Sequence, residues 1–204
     1  AGIWELRTRA RVHTSSALMC WAACDRLSKI ATHLGLGDAQ TFWGGRAETI
    51  RKRTLEGAWS EKRQAFVESV GGETLDASVL LMGEVGMVPR DDPRFAATVD
   101  RLSEVLGRGA FMMRYEEADD FGAPEVGFNV CAFWRLDALA RIGRTGEARE
   151  HFTDLLAARN SLGLMAEDTD FRTGEAWGNF PQTYSMVGII NGAVRLSKPW
   201  ESEI

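Results

Sequence analysis

Cysteine is scarce in this chain: 204 residues hold three, Cys20, Cys24 and Cys131. Each lies inside an apolar helical pattern, so they read as free buried thiols, and so few exclude a disulfide framework. Cys20 and Cys24 are one helical turn apart, yet no third or fourth ligand stands nearby. Neither a metal nor any other cofactor is therefore expected. No apolar run reaches the ~18 residues of a membrane span, and no membrane contact is expected. Basic residues are in the minority, 24 Lys and Arg against 29 Asp and Glu, for a net charge of −5. That leaves no electrostatic footprint for nucleic acid and suits a neutral partner better. Strand-type alternation never extends beyond a few residues, which argues against a parallel-sheet fold. An initiator Met and a signal peptide are also missing, and Ala1-Gly2-Ile3-Trp4-Glu5 opens in what reads as a loop. The expectation is a fragment of a longer protein, with any export signal hidden. A cytoplasmic location is the working assignment.

What the chain does have is apolar mass, 45% hydrophobic residues, set out with helical periodicity. Residues 16–33 carry Leu18, Met19, Trp21, Ala22, Leu27 and Ile30 on a helix with few charges in its first half. So little polar surface predicts burial on more than one side. Thr14, Ser15 or Ser16 can cap this helix, and Gly35 and Gly37 end it. Residues 47–59 instead show a charged face (Glu48, Arg51, Lys52, Arg53, Glu56) and read as a surface helix. A loop over 60–74, interrupted by Ala65-Phe66-Val67, leads to an apolar helix over 75–87. Asp91 or Asp92 caps a surface helix over 94–106, with Pro93 in its first turn. A polar loop over 109–127, an apolar helix over 128–142 and a charged helix over 147–160 follow. The last apolar helix covers 182–196.

The order of these helices is informative. Apolar ones begin near residues 16, 75, 128 and 182, about 55 residues apart, with charged ones between them. This reads as a helical-hairpin repeat with inner and outer layers. Each long loop precedes an inner helix, so the loops gather at one end of the inner layer. An all-α toroid, or part of one, fits this geometry; a flat solenoid of hairpins is the alternative.

The loop over 163–182 is the candidate for chemistry. It is acidic, broken by Gly163, Gly174, Gly178 and Pro181, and holds Phe171, Trp177 and Phe180. Loops of about 20 residues in compact domains are uncommon and are functional or disordered, and aromatics argue against disorder. Glu167 follows Leu164, Met165 and Ala166, while Glu5 is flanked by Ile3, Trp4 and Leu6. Apolar neighbours push a carboxyl toward its neutral form, which suits Glu5 to a general acid. Glu167, in a more polar loop, would stay ionised and act as base. Two carboxyls with opposed protonation states are the machinery of glycoside hydrolysis. Trp4 and Trp177 offer flat faces for sugar C–H surfaces, and Arg7 and Arg114 can donate paired hydrogen bonds to hydroxyls. The plainer alternative is that the tryptophans are core, the arginines are solvated and the loop acids only cap a helix.

Several stretches carry a family resemblance. They are Gly2-Ile3-Trp4-Glu5-Leu6-Arg7, Leu75-Asp76-Ala77-Ser78, Met113-Arg114-Tyr115, Phe133-Trp134-Arg135-Leu136-Asp137, Gly163-Leu164-Met165-Ala166-Glu167 and Gly178-Asn179-Phe180-Pro181-Gln182. In this order they resemble the C-terminal half of the catalytic domain of glycoside hydrolase family 15, which holds glucoamylases, glucodextranases and bacterial trehalases. The resemblance implies that residues 1–204 are the C-terminal portion of an (α/α)6 toroid. It also implies an inverting, exo-acting α-glucosidase of glucoamylase type, acting on α-glucans or oligosaccharides. Trehalase is the alternative, and a non-catalytic helical-repeat binding module lies outside the resemblance. Glu5 falls at the family's general acid and Glu167 at its general base, with Arg7, Arg114 and Glu125 on glucose-binding loops. Ser15 and Ala17 depart from many bacterial members and leave substrate preference open. Too few helices are present to close a twelve-helix toroid. The expectation is a fragment with little activity alone, its open edge covered by the missing N-terminal half or by self-association.

Overall fold

The computed structural model describes residues 2–4, 10–119 and 122–197. Helices dominate it: α1 (Thr14–His33), α2 (Gly37–Gly57), α3 (Leu81–Val85), α4 (Pro93–Leu106), α5 (Asn129–Arg141), α6 (Thr145–Ala157) and α7 (Thr183–Ser197). A 3-10 turn, Ala77–Leu80, runs straight into α3. The strands are two-residue pieces: β1 (Trp59–Ser60), β2 (Ala65–Phe66), β3 (Gly107–Arg108), β4 (Phe111–Met112), β5 (Gly127–Phe128), β6 (Asp168–Thr169) and β7 (Ala176–Trp177). All pair antiparallel, and β5, β6 and β7 form one three-stranded sheet.

The inner layer runs α1, α3, α5, α7, each packed on the next, and α2, α4 and α6 back it from outside. This is the alternation of an α/α toroid, here an arc with α1 and α7 at its two ends. The outer helix α4 shows why the layers hold. Asp92 caps it by accepting the N–H of Arg94, Pro93 begins it, and Phe95, Val99, Leu102 and Leu106 bury one stripe. Phe66 on β2 donates its N–H to Thr98 Oγ1 at 2.9 Å, so the apolar interruption in the 60–74 loop is a hairpin stitched to α4.

Three expectations need correction. The second helix starts ten residues earlier than the pattern indicates, because Gly37, Gly44 and Gly45 lie within it. A Cβ on Gly44 would stand 3.2 Å from Ser28 Oγ, so this glycine reflects close approach of α1 and α2 rather than a break. The first helix is not buried on more than one side: Met19 is 47% and Ile30 53% exposed. Tyr184, Val187, Ile190 and Val194 are likewise exposed along α7, so both ends of the arc present apolar faces. Of the cysteines only Cys131 is buried; Cys20 is exposed and Cys24 half-buried. No helix among the described residues is long and apolar enough to cross a membrane.

The α5–α7 contact is tight. A Cβ on Gly188 would lie 2.3 Å from Phe133 Cδ2 and 3.0 Å from its Cβ, so rotating the ring cannot clear it. Gly188→Ala is expected to destabilise the fold by about 1–3 kcal/mol through overpacking. Thermal unfolding beside Gly146→Ala, a helical position with nothing within 4 Å, checks this; equal melting temperatures would contradict it.

Candidate active site

The segment Met165-Ala166-Glu167 is fixed between the starts of two inner helices. Asn129, the buried first residue of α5, donates Nδ2 to the Ala166 carbonyl at 2.9 Å. Its backbone N–H goes to the Glu167 carbonyl at 2.9 Å, and its Oδ1 accepts Thr169 Oγ1 at 3.1 Å. From α7, Ser185 Oγ donates to the Ala166 carbonyl at 2.8 Å. The loop that leads in is folded around Asn160, whose Oδ1 accepts the N–H groups of Leu162 and Leu164. The long acidic loop is thus ordered by backbone bonds on both sides.

Glu167 carries its carboxylate in a cradle made by the same loop. Oε2 accepts the backbone N–H of Asn179 at 3.0 Å and its Nδ2 at 2.9 Å, and Oε1 accepts Gln182 Nε2 at 3.2 Å. Gly178, at φ 75°, brings the backbone so close that a Cβ would sit 2.7 Å from Oε2. Only glycine accepts both that dihedral and that distance readily.

Beside this carboxylate lies a cavity of about 710 Å³. Its walls come from α5 (Val130, Phe133, Trp134, Asp137) and α7 (Tyr184, Val187, Gly188, Asn191), in both helices at i, i+3, i+4, i+7. Trp4, Arg114, Tyr115 and Glu167 line it as well. Trp4 meets Tyr115, Phe128 and Trp134 with ring centroids 5.7–6.0 Å apart and donates its indole N–H to Asp76 Oδ2 at 2.5 Å. Arg114 stacks over Tyr115 at 5.1 Å and approaches Asp119 at 3.4 Å, and the Tyr115 hydroxyl also donates to Asp119. Burial and Asp119 push the Tyr115 hydroxyl up to about 12, so it stays a donor. Among the described residues no group of His, Cys, Asp and Glu could hold a metal ion.

The structure therefore gathers Trp4, Arg114 and Glu167 at one cavity. Glu5 and Arg7 lie outside the described residues. Glu125 is exposed and is not among the lining residues. Trp177 is 53% exposed on β7, in register with Asp168, and also lies off the cavity. Sequence reasoning gave no role to Asn179, Gln182, Tyr115, Trp134 or Asp76. The run Gly178-Asn179-Phe180-Pro181-Gln182 was the available signal for the first two.

Asp168, next to the cradle, is pushed up to about 6, first by burial and then by the Glu167 charge, with Arg114 opposing. A raised carboxyl binds more protons folded than unfolded, so its contribution is present below about pH 4 and lost as pH rises through about 6. Asp168→Asn removes that loss. The variant should melt higher than the parent at pH 7.5 and match it at pH 4. Melting curves across this range decide, and a constant offset would contradict the assignment.

The chain matches the model of glycosyl hydrolases family 15 over residues 1–194. It is 38% identical over 203 residues to a trehalase of Mycolicibacterium smegmatis and 36% identical to one of Mycobacterium tuberculosis, covering 98% of this chain and 30% of each relative. A trehalase of Thermoplasma volcanium is 33% identical over 199 residues, 97% of this chain and 32% of that one. The chain thus spans about a third of the length of these relatives. In fold it resembles a wild-type glycosidase at TM-score 0.80 and 19% identity, over 96% of this chain and 54% of that one. A glycosidase variant in complex with glucose aligns at TM-score 0.77 and 19% identity, over 92% and 52%. A helical arc shared with glycosidases, and a sequence match along nearly its whole length, lead to one conclusion: this chain belongs to glycosyl hydrolase family 15.

Proposed function

We propose that the full-length protein carrying this chain is an inverting glycoside hydrolase that cleaves trehalose. The observation that carries the reading is the cradled carboxylate of Glu167 in a cavity also lined by Trp4 and Arg114. Glu167 takes a proton from a water whose oxygen bonds to the anomeric carbon. Glu5 gives its proton to the glycosidic oxygen as the carbon–oxygen bond breaks. Inversion needs space for that water, so the two carboxyls are expected roughly 6.5–9.5 Å apart. Asn179 and Gln182 hold the base in one orientation, so no reorganisation is required as the proton moves.

Arg114 is a donor to sugar hydroxyls, and Trp4 with Trp134 offers ring faces to the sugar C–H surface. Arg7 is proposed beside Glu5 for the same sugar. Glu125 and Trp177, off the cavity and exposed, fit contacts with an outer part of the ligand. The glucoamylase-type substrate implied by resemblance alone gives way to trehalose, because the relatives with the stated identities are trehalases. The apolar faces at the ends of the arc fit burial against further helices of the full-length protein or a second copy.

In the full-length protein, Glu5→Gln and Glu167→Gln are each expected to lower kcat by about 10²–10⁴-fold. Parent-like kcat in both variants would remove Glu5 and Glu167 from the chemistry, and a parent protein that cleaves no glycoside would leave only the non-catalytic helical module. Inverting cleavage of trehalose releases one β- and one α-glucose, so proton NMR before mutarotation should show equal amounts. Two α-anomers would mean retention, and no cleavage of trehalose beside cleavage of maltose would restore the glucan reading. Gly178→Ala, which crowds Glu167 Oε2, should lower kcat by about 10²-fold with little change in KM; a parent-like kcat would show that the cradle is dispensable.

A further inference from the structure

Asp76 is an enclosed carboxyl that this chemistry leaves unused. It is 2% exposed, and burial pushes it up to about 6 against the donors that face it. Its two oxygens have separate tasks. Oδ1 accepts the Ser78 N–H at 2.7 Å and caps the 3-10 turn Ala77–Leu80. Oδ2 accepts the Trp4 indole N–H at 2.5 Å, a bond between residues 72 positions apart. A cap needs one acceptor, and Asn serves it as well as Asp. The second oxygen is what calls for an acid. An amide that kept the cap would turn its NH₂ toward the indole N–H, donor against donor.

We propose that Asp76 is a positioning residue for the proton donor: through the Trp4 indole it fixes the segment on which Glu5 immediately follows. This rests on the reading of Glu5 as the general acid. Tyr115 and Phe128 edge-on and Trp134 tilted against Trp4 confine its plane but allow it to slide, whereas a hydrogen bond to a buried acceptor sets its position. The same turn also locates the sugar-binding side of the cavity. The Ala77 N–H donates to the Arg114 carbonyl at 2.9 Å, and Asp76 bridges Tyr115 backbone to backbone. Trp4 and Arg114 therefore take their places from one point. A buried carboxyl is costly to keep; the bonds from Ser78 offset part of that cost and the Trp4 indole adds a further donor.

A glycoside leaving group must be protonated as it departs, but fluoride leaves α-glucosyl fluoride without a proton from the enzyme. Loss of acid placement therefore slows one substrate and spares the other. A merely structural lesion, or a lesion at the base, slows both. In the full-length protein, Asp76→Asn should lower kcat on trehalose by about 10²-fold while kcat on α-glucosyl fluoride stays within about threefold. Trp4→Phe keeps an aromatic six-membered ring while removing the N–H donor with the five-membered ring, so it should raise the same fluoride-to-trehalose ratio even if Asp76→Asn folds poorly. Circular dichroism melts of both variants report folding. Equal losses on the two substrates, or no loss on either, in folded variants would overturn the proposal. The parent enzyme separates the two readings. If it cleaves both substrates, the hydrolase reading stands whatever the variants do; if it cleaves neither, that reading fails and this one with it.

Discussion

The Ala166 carbonyl, held at once by Asn129 from α5 and Ser185 from α7, is the constraint on which the site depends. Both donors are buried, so each would be left unsatisfied if the loop moved away, at about 1–3 kcal/mol apiece. The next residue along is Glu167. Its position is therefore set by the spacing of two inner helices rather than by the loop's own stiffness. The β5–β6–β7 sheet continues the same logic, since Phe128, the residue before α5, lies in register with Asp168. The loop-bearing end of the arc is one hydrogen-bonded layer laid across the helix starts.

That layer puts polar demand and apolar packing at opposite ends of the same helices. Along α5 and α7 the inward row begins with the donors that hold the loop and continues as the walls of the cavity. The walls end at Asp137, which the Arg195 guanidinium meets at 2.9 Å. Arg114, Tyr115 and Glu167 put hydrogen-bonding groups beside the apolar surface of Val130, Phe133, Trp134 and Val187 in one cavity, the mixed lining by which small-molecule pockets fix a ligand's orientation.

Much of this was legible in the amino-acid order, and the misses have physical reasons. The inner and outer alternation follows from apolar periodicity, and the helices fall within a few residues of the pattern except α2 and α3, the latter shortened to Leu81–Val85 behind a 3-10 turn. The glycines of α2 read as breaks because close approach of two helices leaves the same residue type as a turn. Glu167 was readable because its apolar lead-in and breaker residues are contiguous. The cradle was not, because Asn179 and Gln182 act across 12 and 15 positions through a backbone path that no local pattern encodes. Trp177 shows the converse hazard. Its ring sits near the base in sequence, but it is registered with Asp168, and a step of one residue along a strand points a side chain to the other face.

The near-contact of Gly188 with Phe133 also bears on how this cavity could diverge. Its width is written in two facing positions, one with no side chain and one with a large ring, and neither can change alone without strain or a void. Relatives with a narrower or wider chamber should therefore differ at both positions together, as a compensated pair. The bulk at 188 should grow as the ring at 133 shrinks. The selectivity of the inner wall would then drift in paired steps while the cradle around Glu167 stays as it is.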